Sequence, residues 1–192
     1  MRFKKLGILA LLLTMLTGCA GTELAKPSQK ALDFRTALME AGGCSFTADI
    51  TADYGARVYE FTLDCEYTVG GEAHLTVTKP ETIAGIAATV SADGATVEFD
   101  GASLDFGQMA NGYVAPLAAP WILGNCWTAE YISSAGADGD LERVTYLQGY
   151  HEEELTLDTW LDRSGVPVRC EISWNGSRCL TIDLTNFQLG AS

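Results

Sequence analysis

Apolar and polar residues alternate along most of the chain. In 44–52 the even positions Cys44, Phe46, Ala48 and Ile50 are apolar. In 59–67 the odd positions Tyr59, Phe61, Leu63, Cys65 and Tyr67 are apolar, with Glu60, Thr62, Asp64 and Glu66 between them. A period of two marks a half-buried strand. Folding the chain at Tyr54-Gly55, so that paired numbers sum to 109, sets Cys44 opposite Cys65, Phe46 opposite Leu63 and Ala48 opposite Phe61. A one-residue slip would turn one apolar set to water, so the parity of this register is fixed. Further strands are predicted at 72–79, 84–91, 95–99 and 102–107, separated by Gly-Gly, Lys-Pro and Asp-Gly signals, and then at 126–133, 141–150, 154–162, 166–174 and 178–188.

Two stretches break the alternation. Ser28 can cap a helix whose Ala31, Phe34, Leu38 and Ala41 share one stripe, and Gly42-Gly43 ends it. From Tyr113 to Leu123 nearly every residue is apolar, and Pro116 and Pro120 exclude a regular central strand, so a short Pro-broken helix is expected. The last hairpin carries its own test. Val168, Cys170, Ile172 and Trp174 are apolar on even positions, as are Leu180, Ile182 and Leu184. A two-residue Asn175-Gly176 loop would pair 174 with 177 and put the two sets on opposite faces. A three-residue loop with Gly176 at positive φ restores agreement and is predicted here. Asn175-Gly176-Ser177 also matches a glycosylation sequon, but it is read as the turn. The pattern gives a mainly β (α+β) domain of about ten antiparallel strands and two helical pieces. The apolar face could close into a barrel, pack on a second sheet, or curve over the helices and leave a lined hollow.

The amino terminus changes the picture of where this domain works. Arg2, Lys4 and Lys5 precede the apolar run Leu6–Leu16, which is too short to span a bilayer but suits an export signal. Leu16-Thr17-Gly18-Cys19 resembles the bacterial lipobox, which implies cleavage before Cys19 and lipidation of its thiol. The chain thus divides into a signal (1–18), a lipidated Cys19 with its tether (19–27) and one domain (28–192). That places it on the extracytoplasmic face of the cell membrane, lipid-anchored. Cleavage leaves 174 of the 192 residues and removes three of the 12 basic ones; nine basic against 25 acidic residues give a net charge of −16. So acidic a surface repels phosphate backbones, which excludes nucleic acid as a partner.

Chemistry is sparse. His74 and His151 fall in the polar phase or beside acids, Glu152-Glu153-Glu154 reads as a solvated charge run, and Asp162 and Asp183 as strand-edge polar residues. No metal-ligand spacing and no Gly-rich phosphate loop is present, so the chain is read as no enzyme, without metal or cofactor. Five cysteines remain in the mature chain. Cys44 and Cys65, opposed in the first hairpin, either bridge or pack as two buried thiols. Cys170 and Cys179 should face opposite ways and stay unbonded, while Cys126 and Cys179 could meet on the outer face.

A family resemblance sharpens this. The segment LTLDTWLDRSGVPVRCEISWNGSRCLTIDLTNF, through Trp160, Leu161, Asp162, Gly165, Pro167, Asn186 and Phe187, resembles the carboxy-terminal meander of LolA/LolB-type lipoprotein-carrier domains. The resemblance implies an eleven-stranded half-barrel whose concave side is lidded by helices and takes acyl chains. The family's soluble carriers lack an anchor and their membrane acceptors have one, as this chain does. The same fold also serves mycobacterial lipid-carrying lipoproteins and a clostridial lipoprotein that grips a protein partner, so fold alone does not choose the function. Two readings follow. In one, the domain binds or shuttles a lipid or lipid-modified molecule in a hollow lined by Phe46, Ile50, Tyr59, Phe61, Leu63, Leu75, Val77 and Leu157, under a lid of Tyr113, Val114, Leu117, Trp121 and Ile122. In the other, the hollow is filled and the domain is an envelope module that binds a protein partner.

Overall fold

The computed structural model describes residues 29–106, 109–110, 113–149 and 154–190, without the side chains of 106–113. The signal, Cys19, the tether and His151 lie outside these residues. Helix α1 (Gln29–Ala41) leads into β1 (Gly43–Asp53), β2 (Val58–Thr68), β3 (Ala73–Lys79), β4 (Ala87–Ser91), β5 (Gly94–Phe99) and β6 (Ala102–Phe106). Two short strands, β7 (Met109–Ala110) and β8 (Tyr113–Val114), and a 3₁₀ turn (Pro116–Ala118) precede helix α2 (Ala119–Thr128). The chain ends in β9 (Ser134–Asp138), β10 (Leu141–Gln148), β11 (Leu155–Leu161), β12 (Pro167–Trp174) and β13 (Ser177–Leu189).

Eleven of these strands form one antiparallel sheet in the order β6-β5-β4-β3-β2-β1-β13-β12-β11-β10-β9, so β6 and β9 are free edges and the sheet is open. The half-barrel expected from the resemblance is the fold. Register shifts at Ser45/Thr47, Thr62/Leu63, Trp160/Leu161 and Ile172/Ser173 bend it, because each bulge adds local twist.

Three sequence-based expectations need correction. The β1–β2 register pairs Cys44 with Tyr67, Phe46 with Cys65 and Ile50 with Phe61, two residues away from the predicted one. A four-residue loop, closed by the Tyr54 N–H to the Arg57 carbonyl at 3.0 Å, replaces the tight turn. A shift of two preserves the face and so leaves no trace in the alternation. It does remove the opposition of Cys44 and Cys65, and both are free thiols. The last hairpin has the two-residue loop after all: Asn175 (φ 48°) and Gly176 (φ 75°) form the turn and Trp174 pairs with Ser177. The extra residue that parity demands enters as a bulge at Cys179, after which Ile172 pairs with Leu180 and Cys170 with Ile182. Finally, 126–133 is no strand; α2 runs on through Thr128. Pro120 sits in the first turn of α2, where a missing N–H costs nothing.

Helix α2 is apolar nearly all round because it is enclosed, with Ala119, Ile122, Leu123, Gly124, Cys126 and Trp127 buried. Gly124 rests on the ring of Tyr67 so closely that a Cβ there would overlap it. Trp127 is fully buried, its Nε1 donates to Thr159 Oγ1 at 3.0 Å, and its ring meets Phe34, Phe46 and Phe187 edge-on at 5.6–6.0 Å. The opposite face of the sheet is polar and tiled by cross-strand pairs such as Thr62–Asp49 (2.7 Å) and Thr47–Asp64 (3.0 Å).

Candidate apolar binding face

The residues expected to line a hollow separate into two groups. Phe46, Ile50, Leu63, Leu75, Val77 and Leu157 are buried in the packed core, beneath the helices. Phe61 is half-buried and Tyr59 is 40 % exposed, where the chain turns out of the covered region. The lid residues divide similarly. Val114 and Ile122 are buried, while Leu117 and Trp121 are half-buried. Trp121 Nε1 donates to the Gly71 carbonyl at 3.3 Å, and the Tyr54 hydroxyl donates to the Val114 carbonyl at 2.8 Å, tying the lid to both ends of the sheet. Tyr113 contributes backbone to β8; its side chain lies outside the described residues.

Side chains directly opposite one another in neighbouring antiparallel strands share a face. One such row runs Cys65–Leu75–Ala88–Val97–Leu104 across β2 to β6. Along it Leu75 is 3 % and Ala88 4 % exposed, Val97 is half-buried, and Leu104 is 69 % exposed. Phe99, two residues beyond Val97 on the same face of β5, is 50 % exposed. The concave face thus continues as an apolar trough over β5 and β6, with Phe99, Leu104 and the half-buried Val97 and Ile86 on it. Sequence reasoning placed the strands but did not name these four residues. The signal was there, since Val97, Phe99 and Leu104 alternate with polar neighbours like the residues it did name.

A second group of aromatic side chains stands at the β1–β2 turn. Tyr54, Tyr59 and Phe61 follow one another at 6.2 and 6.4 Å between ring centroids, and Arg57 Nη1 donates to the Tyr59 hydroxyl at 3.3 Å. Burial, with Cys179 and Tyr59 as lesser causes, pushes the Tyr54 phenol up to about 12, so it remains a donor.

The other candidate chemistry is dispersed. Burial raises the Cys44 and Cys170 thiols to about 12 and those of Cys65, Cys126 and Cys179 upward as well, which makes them inert core residues. His74 lies on the polar face, between Glu72 (3.0 Å) and Thr89 (3.1 Å). Asp162 caps the β11–β12 turn, accepting from the Ser164 N–H and hydroxyl and the Val166 N–H at 2.7–3.0 Å, while Asp183 stands in mid-β13 opposite Arg169. Burial opposes ionisation of Asp162, but those donors outweigh it and hold the carboxyl below its ordinary range. Among the described residues no three His, Cys, Asp or Glu side chains gather as metal ligands.

Comparison with solved structures finds several similar chains. The chain is similar to a LolA superfamily protein from Nitrosomonas europaea, with 12 % identity over 83 % of this chain and 94 % of that one and a TM-score of 0.44. It is similar to the lipoprotein LppX of Mycobacterium tuberculosis, with 11 % identity over 85 % and 94 % of the two chains and a TM-score of 0.43. A conserved protein from Thermus thermophilus aligns at 9 % identity over 87 % and 90 %, with a TM-score of 0.48. No protein-family model matches the chain, and no curated protein does.

Proposed function

We propose that this is a membrane-anchored extracytoplasmic domain that binds an apolar ligand, an acyl chain of a lipid or lipid-modified molecule, along the trough of β5 and β6. The anchor is the lipid on Cys19. The observation that carries the reading is the Leu75-to-Leu104 row, one continuous apolar stripe that passes from packed core to solvent within a single sheet. Each methylene laid on such a surface is stabilised by about 0.8 kcal/mol when fully covered, so six to eight buried methylenes give on the order of 5 kcal/mol before ordering costs. The chemistry required is only shape and dryness; no catalytic group takes part.

The filled centre of the concave side favours a second reading, in which the trough and the free edge of β6 receive a segment of a protein partner. Mass spectrometry of the gently purified, then denatured protein separates the two. The carrier reading expects a released lipid, uptake of a fluorescent fatty acid, and loss of that uptake in Leu104→Asp and Phe99→Asp. If nothing is released and no fatty acid is taken up, the carrier reading is wrong, and a stable complex from envelope extracts then supports the partner.

A further inference from the structure

The sheet has two free edges, and they differ in what they offer a neighbour. Strand β9 is Ser-Ala-Gly-Ala-Asp, with no large side chain. Its Asp138 is held by Trp160 Nε1 at 2.7 Å, and its Gly136 stands opposite Arg143, which is half in water. Strand β6 presents Leu104 to solvent on the trough side and Asp105 on the polar side, and neither Pro nor Lys blunts it. An edge in that state is a template for another strand.

The backbone groups that would receive one follow from the register. Asp100 (φ 49°) and Gly101 (φ 78°) form a two-residue loop between β5 and β6, so Phe99 and Ala102 make a hydrogen-bonded pair, as do Val97 and Leu104 two residues on. The N–H and C=O of Ser103 and Asp105 therefore point away from β5, at the free edge.

The charge at this edge has one sign. No Lys or Arg occurs in the sequence between Lys79 and Arg143, whereas Asp93, Glu98, Asp100 and Asp105 are all exposed on β5, β6 and the turns before them. On the polar face Asp105 shares a groove with Glu72 and Asp93, and Glu98 shares another with Asp64 and Glu66. His74, which also lines the second groove, is paired with Glu72. A strand laid on β6 sets alternate side chains beside Leu104 and beside Asp105. The first set must be apolar and the second basic.

We propose that the free edge of β6 takes an extended peptide segment in which apolar and basic residues alternate, added to the eleven-stranded sheet as one more strand. The proposal rests on the partner reading above and supplies the chemistry of that partner. Backbone bonds to Ser103 and Asp105 give affinity, the alternation gives selectivity, and the acidic rim speeds encounter at low salt.

The test uses the full chain in phosphatidylcholine nanodiscs and two synthetic peptides of strand length, one alternating valine with lysine, the other valine with glutamate. The lysine peptide is expected to bind at least about tenfold more tightly, with an advantage that shrinks as salt is added, and to slow hydrogen exchange at the amides of Ser103 and Asp105. Ser103→Pro removes an N–H that faces solvent, which an edge strand tolerates, and should weaken binding by a similar factor. Equal affinity for the two peptides, binding of neither, protection away from β6, or full binding by Ser103→Pro overturns the proposal. Should Ser103→Pro misfold, the exchange map of the unaltered chain decides. With both peptides silent, a complex recovered from envelope extracts overturns strand addition alone, while no complex overturns the partner reading too.

Discussion

Leu75 and Leu104 belong to one cross-strand row, three strands apart, and meet different surroundings. Leu75 sits in the core beneath α2; Leu104 faces water. The strands around them have the same alternation, so alternation defines a dry face without saying what dries it. The difference comes from the lid. Helix α2 and its 3₁₀ entry deliver an apolar surface on every side, and that surface is used up over β1 to β3 and β10 to β13. The wing of β5 and β6 keeps the apolar pattern and lacks the helix. The covered half holds the core, and the uncovered half presents Phe99 and Leu104 to solvent as an exposed apolar patch.

The covered half should break first and hardest. Trp127→Ala removes a fully buried indole, its three edge-on ring contacts and the donor that satisfies Thr159, itself fully buried. The expected loss is about 3–5 kcal/mol, most of it from the cavity, since the Thr159 hydroxyl keeps the Cys170 thiol as a partner at 3.5 Å. Denaturant unfolding followed by tyrosine fluorescence measures it. A loss below about 1 kcal/mol would show that the helices are a loose cover and that the two halves do not differ.

A smaller effect is expected at the β11–β12 turn, which docks on α1 through the Asp162 carbonyl and Lys30 Nζ at 3.4 Å. The Asp162 side chain accepts three hydrogen bonds and its carboxyl is held below the ordinary range. A depressed folded-state pKa contributes stability that is complete above the unfolded value near 4 and is lost as pH falls through the folded value. Asp162→Asn should therefore cost about 1 kcal/mol at pH 7 and flatten the acid limb of the stability–pH profile. Parallel acid limbs in the two proteins would place the titrating group elsewhere.

Most of this architecture was legible from period-two patterning, since a buried face tolerates no error of parity. Helix α1, its glycine stop, ten of the eleven strands of the main sheet and the resemblance through Trp160, Asp162 and Gly165 all followed from short-range pattern. What escaped was whatever parity cannot see. A two-residue shift at the first turn keeps every side chain on its face, and it separated Cys44 from Cys65. The last hairpin needed one extra residue, but pattern could not tell a longer loop at Ser177 from a bulge at Cys179. Trp127, Ala129 and Tyr131 alternate like a strand, yet burial of Ile122, Leu123, Cys126 and Trp127 makes the stretch helical as far as Thr128. The trough escaped for another reason. Its residues look like core residues, and only the finite reach of α2 distinguishes them.

The smallest effect on stability is expected in the open wing, and its smallness is the sharpest form of the comparison. Leu75→Ala deletes packed methyls and should cost about 2–5 kcal/mol. Leu104→Ala, the same change in the same row, should stay within about 0.5 kcal/mol, because a side chain already in water leaves no cavity. Denaturant midpoints at constant m-value measure both. Adding a bound fatty acid should enlarge the difference between Leu104→Ala and the parent protein, since a ligand that covers Leu104 stabilises only the folded chain that retains it. Equal costs at the two positions would mean that Leu104 is covered in solution, and the trough would then be one more part of the core.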